Sequence, residues 1–179
     1  YQDLALCDNL TAAGNVFHTA DWKLDARPVV GNRYPEHRYR LLAQQRVDAM
    51  VCDSTNALSS GGPVAEGDLY PGILSHVQAA EGRVVVSSFG SNVARLHTFA
   101  RVARETGRYM ALLGRSLHNM VAAARASGFW DPEYRLVDSR DLGFLPRDEV
   151  LIVATGSQGE KRAALNLLSL DRHRALELD

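Results

Sequence analysis

Lysine is almost missing from this 179-residue chain: Lys23 and Lys161 are the only two among 20 basic side chains, a compositional bias rather than a functional signal. Cysteine is as scarce. Cys7 and Cys52 both sit inside apolar stretches, which excludes a disulfide framework and a zinc-ribbon spacing and suits a reducing, cytoplasmic compartment. No apolar run reaches about 18 residues, so a transmembrane helix is excluded and no membrane partner is expected. The opening residues YQDLALCDNL carry acids and no basic stretch, and do not read as a signal peptide. Neither G-x-G-x-x-G nor G-x-x-x-x-G-K-[ST] occurs, which leaves a nucleotide cofactor without a motif. His37, His76, His97, His118 and His173 form no H-x-H or H-E-x-x-H pattern.

What is present reads as globular. The chain is 46% hydrophobic and 23% charged with a mean hydropathy of −0.18, enough for one domain or slightly more. A net charge of −1 hides an asymmetry. Residues 1–75 hold 6 Lys and Arg against 9 Asp and Glu, and residues 76–179 hold 14 against 12. Within 83–125 lie seven arginines (83, 95, 101, 104, 108, 115 and 125) and one acid, Glu105. That local excess of six positive charges suits a polyanionic partner, although solvated helix faces would produce the same count.

The pattern is one of strands alternating with helices. Strand-like apolar runs are Leu4–Cys7, Val16–His18, Ala49–Cys52, Arg83–Ser87, Tyr109–Leu113, Val150–Ala154 and Arg174–Leu178. Between Val93 and Arg104 the apolar residues Val93, Leu96, Phe99, Ala100 and Ala103 share one helical face, with Arg95, Arg101 and Arg104 largely off it. Leu117–Ala126 and Lys161–Leu170 read as helices opened by Gly and Ser. Continuous apolar strands separated by helices imply an α/β fold with a buried, mostly parallel sheet. The first 75 residues are acidic and loop-rich, and the chain starts directly in a strand, as a piece of a longer protein would.

Three strand-to-helix junctions share one chemistry: VVVSSFGSNVAR (84–95), MALLGRSLHNM (110–120) and LIVATGSQGEKRAAL (151–165). Glycine lets a ligand approach the backbone, while the first helical N–H groups and small hydroxyls form an anion nest. In a parallel sheet all three emerge at one carboxyl edge, an arrangement suited to a chain of phosphates. Strand termination and helix capping alone would use the same residues. Upstream, His18 in NVFHTADWKLD and Asp53 in AMVCDSTNA end neighbouring apolar runs, where they could share a metal ion or serve as structural hydrogen-bonding residues.

The order HTADWKLD, CDSTNA, AEG (65–67), SSFGSNVAR, GRSLHNM and ATGSQGEKRAAL resembles the β-CASP branch of the metallo-β-lactamase superfamily, and within it the ribonuclease J family. Departures are Ala20 for the family's usual Gly, Ala65 for Ser, Gly90 for Ala, Leu117 for Met and Lys161 for Pro. The resemblance implies a partial αββα metallo-β-lactamase domain over 1–75 and a β-CASP domain over 76–179. It implies a zinc-dependent ribonuclease with 5′-exonuclease and possible endonuclease activity, two zinc ions, single-stranded RNA as partner and a homodimer or homotetramer for the whole protein. His18 and Asp53 would be metal ligands. Ser88, Ser91, Asn92, Arg95, Arg115, Ser116, Gly156, Ser157, Gln158, Gly159 and Glu160 would line the RNA channel. The family's H-x-H-x-D-H and H-x-S-G-H segments do not occur in the chain, so it is expected to be inactive alone. The alternatives are another β-CASP nuclease acting on RNA 3′ ends or DNA, and a nucleic-acid-binding module whose metal centre has decayed.

Overall fold

YMALL and VLIVA are apolar at every position, so neither can have a solvent-facing side; each must be buried on both faces. In the computed structural model they are the two central strands of a four-stranded parallel sheet. The structure describes residues 16–20, 25, 27–33, 35–42, 44, 47–55, 57–61 and 64–176, with Ala20 described by its backbone alone. It divides into two units, one of residues 1–27 and 32–65, the other of 28–31 and 66–179.

The first unit contributes strands β1 (Val16–Ala20) and β2 (Ala49–Cys52) and helix α1 (Glu36–Leu42). β1 and β2 pair in parallel with His18 opposite Val51, and the register shifts between His18 and Ala20. β1 thus runs two residues past the apolar run VFH. Phe17 is buried and His18 exposed, as strand alternation requires.

The larger unit follows the order α2 (Tyr70–Gln78), β3 (Val84–Ser87), α3 (Val93–Glu105), β4 (Tyr109–Leu113), α4 (Arg115–Ala126), β5 (Leu136–Val137), β6 (Val150–Ala154) and α5 (Ala164–Ser169). Its strands lie side by side as β3-β6-β4-β5, all parallel. Alternate residues feed two cores. Met110, Leu112, Leu151 and Val153 pack with Leu96, Phe99 and Val102 of α3 and with Leu117 and Val121 of α4. Ala111, Leu113, Val150, Ile152 and Ala154 pack with Leu142, Ala164, Leu168 and Leu176. Each fully buried Leu or Ile contributes about 1.5–3 kcal/mol, so this doubly covered sheet dominates the unit's stability.

Two expectations change here. Arg174 and Ala175 lie in a turn rather than a strand, and Leu176 is buried as a plug of the second core. The edge strand beside β4 is instead β5, a two-residue strand with no periodicity to announce it. The Leu4–Cys7 run and residues 177–178 lie outside the described residues. No helix among the described residues is long and apolar enough to cross a membrane.

Candidate nucleic-acid interface

β6 lies between β3 and β4, so its turn emerges between the other two at the carboxyl edge. Close backbone approach then draws the three together. A Cβ on Gly90, in the β3 turn, would fall 2.5 Å from Ser116 Oγ. A Cβ on Gly114, in the β4 turn, would fall 2.5 Å from Thr155 Cγ2 in the β6 turn. Gly114 also holds φ at 137°, open to glycine and strained for other residues. Backbone bonds extend the sheet past its strands: Ser88 N–H donates to the Ala154 carbonyl at 3.2 Å, and Thr155 N–H to the Leu113 carbonyl at 3.0 Å.

The helix starts are not equivalent. Asn92 caps α3, its Oδ1 accepting from Arg95 N–H at 2.9 Å. Thr155 holds α5, accepting from Leu165 N–H at 2.9 Å through its carbonyl and from Ala164 N–H at 3.3 Å through Oγ1. α4 starts at Gly114, which has no side chain to cap it, so its first N–H groups face the edge without that partner. Arg115 and Ser116 stand exposed at this start, and Ser91, Ser157, Gln158, Gly159 and Glu160 are exposed beside it. Glu160 Oε2 accepts from Gln158 N–H at 3.1 Å and pins the tip of the β6 turn. Phe89 adds a half-exposed ring.

Other candidates are buried or already engaged. Ser88 and Gly156 are buried, with Gly156 against Ala163 and Leu165. Arg95 is engaged by Glu66, a carboxylate buried in the turn before α2, through Nε and through a 3.2 Å Nη2–Oε2 contact. Glu66 belongs to the AEG segment, 29 residues before Arg95, a separation that hides the pairing in the sequence.

The arginine excess of 83–125 is partly balanced in space. Arg101 pairs with Glu105 at 3.1 Å and lies 3.9 Å from the Tyr70 ring centre, while the Tyr70 hydroxyl donates to Glu105 and, with Arg101, lowers the acid's pKa. Arg104 reaches Asp131 at 3.3 Å and Glu133 at 3.4 Å. Arg108 is buried and donates to the carbonyls of Gly82, Val150 and Ala80. Acids from outside the counted block thus face two of its seven arginines, Arg95 and Arg104. At the edge itself, Arg115 makes no ion pair among the described residues.

In the first unit, Asp53 follows β2 directly, just beyond His18 along the neighbouring strand. Its carboxylate accepts from the Thr55 hydroxyl and backbone N–H, which lowers its pKa, in that order of effect. Among the described residues no group of three or more His, Cys, Asp or Glu could hold a metal ion. A hydrolytic zinc needs about three protein ligands. His18 and Asp53 by themselves therefore do not fit a complete zinc site.

Fold and edge together define an α/β domain that presents glycine- and serine-rich turns along the carboxyl edge of a parallel sheet. The chain belongs to the ribonuclease J family: residues 81–179 match the family model described as ribonuclease J, beta-CASP domain. It is 40% identical over 164 residues to ribonuclease J of Sinorhizobium meliloti, covering 92% of this chain and 29% of that protein. Ribonuclease J of Mycolicibacterium smegmatis is 35% identical over 94% of this chain and 30% of its own length. That of Helicobacter pylori is 34% identical over 94% of this chain and 24% of its own. The chain spans less than a third of these relatives.

Proposed function

We propose that this chain is the RNA-holding part of a ribonuclease J-type nuclease, with single-stranded RNA lying along the carboxyl edge of the β3-β6-β4-β5 sheet. The observation that carries this reading is the contact of the three turns, Gly90 against Ser116 and Gly114 against Thr155. Packed this closely, the turns offer successive phosphates the exposed hydroxyls of Ser91, Ser116 and Ser157, the Gln158 amide, the Arg115 guanidinium and the uncapped start of α4. Phe89 gives a base a surface to stack on.

In the whole protein the reaction is hydrolysis of the RNA backbone, from the 5′ end and internally. Zinc would supply an activated water and a clamp for the scissile phosphate. His18 and Asp53 would provide two of its ligands, the remainder coming from parts of the protein beyond these residues. The 179-residue chain alone is then expected to bind zinc weakly and turn over no RNA. Elemental analysis beside hydrolysis of a 5′-monophosphorylated RNA checks this, and two tightly held zinc ions with turnover would refute it.

Replacing Ser157 and Gln158 together by Ala tests the RNA reading. Both side chains are exposed, so the melting temperature should hardly move while affinity for a single-stranded oligoribonucleotide falls. Unchanged affinity at fixed low salt would remove the β6 turn from the interface.

A further inference from the structure

A second basic feature shares no residue with the glycine-serine turns. A cavity of about 720 Å³ is bounded by Ser139 and Arg140 just after β5, by Leu167 of α5, and by Arg172–Ala175 after α5. Its volume falls within the range of about 300–1,000 Å³ typical of small-molecule sites.

The chain is built to place arginines there. α5 closes with the N–H of Asp171 on the Leu168 carbonyl at 3.0 Å and the N–H of Arg172 on the Leu167 carbonyl at 2.8 Å. Asp171 takes the left-handed conformation, φ 50°, that this closure demands. The reversal is anchored beyond the cavity by buried Leu176, so Arg172 and Arg174 are set on the wall rather than on a loose end. Neither makes an ion pair among the described residues. Arg140 donates Nε and Nη2 to Asp138 at 3.1 and 2.8 Å, leaving Nη1 without a bond among the described residues. Among the described residues no acid lines the cavity.

We propose that this cavity is a phosphate-binding site, taking free phosphate or the 5′-phosphate of a mononucleotide on Arg172, Arg174 and the Ser139 hydroxyl. Guanidinium groups suit phosphate because their planar N–H pairs match its oxygens two at a time. Leu167 and Ala175 give the wall an apolar side on which the remainder of a nucleotide could rest. The inference does not depend on the RNA reading of the carboxyl edge.

The test is an amide-resolved NMR titration of the isotope-labelled chain with inorganic phosphate, with uridine 5′-monophosphate, and with uridine, all at matched ionic strength. Both phosphate-bearing probes should move the amides of Ser139, Arg140 and Arg172–Ala175, and uridine should not. A mononucleotide that binds more tightly than phosphate identifies the nucleotide as the source, and equal binding identifies free phosphate. Arg172→Ala with Arg174→Ala should weaken binding by about tenfold or more, since two charge-assisted contacts go, while spectra elsewhere show the fold intact. The proposal is overturned if these amides stay still, if sodium chloride moves them equally, or if the double variant binds as tightly.

Discussion

Gly114→Ala tests the contact between two turns of the edge and should be among the costliest single-methyl additions in the domain. The added Cβ would lie 2.5 Å from Thr155 Cγ2 and 2.6 Å from its Oγ1. At φ 137° the backbone alone costs an alanine about 1–3 kcal/mol. Thr155 cannot simply swing aside, because its Oγ1 accepts from Ala164 N–H at the start of α5. Losing that bond adds roughly 1 kcal/mol, for a total of about 2–4 kcal/mol. Urea denaturation followed by circular dichroism reads this as a lowered midpoint at unchanged slope. Thr155→Ala removes the atoms that clash but leaves the dihedral strain, so the double variant should be less destabilised than the sum of the singles. A cost for Gly114→Ala below about 0.5 kcal/mol, or strict additivity, would refute the packed-turn geometry.

Two further outcomes are expected. Arg115→Ala should flatten the slope of log affinity against log salt for single-stranded RNA by about 0.7, whereas Arg101→Ala and Arg104→Ala, whose charges already face acids, should leave it unchanged; equal effects from all three would mean that the ion pairs open on binding. Asp138, held down to about 2 by the Arg140 side chain and then by the Arg140 N–H, should give a stabilising contribution present above the ordinary aspartate value of 3.8 and lost as pH falls toward 2. Carboxyl NMR titration checks this, with Arg140→Ala moving the midpoint back toward 3.8 and an unmoved midpoint contradicting the assignment.

The strands that became the sheet's centre were readable because both their faces are buried, so Tyr109–Leu113 and Val150–Ala154 are apolar without interruption. α3 was equally plain, its periodicity matching a single buried face. β5 was not, because two residues carry no period and are held by pairing Leu136 with Met110 and Val137 with Ala111. Arg174–Leu178 misled because a buried plug and a buried strand draw on the same residue types. At the edge, glycine and serine after each strand marked the turns. What could not be read was how α5 is started: Asn92 caps α3 locally, but Thr155 holds the start of α5 from the far side of the β6 turn. The arginine count could not show which charges are paired, because Glu66, Asp131 and Glu133 lie 27 to 29 residues from the arginines they meet.

The central claim, that RNA runs along the carboxyl edge, is tested most directly by mapping amide shifts as a short 5′-monophosphorylated single-stranded oligoribonucleotide is added to the labelled chain. The account predicts the largest shifts at Phe89–Asn92, Gly114–Ser116 and Thr155–Glu160, in one saturable process. Saturable shifts confined to the opposite edge, around Gly82, Arg108 and Glu149, with those three turns unmoved, would contradict it.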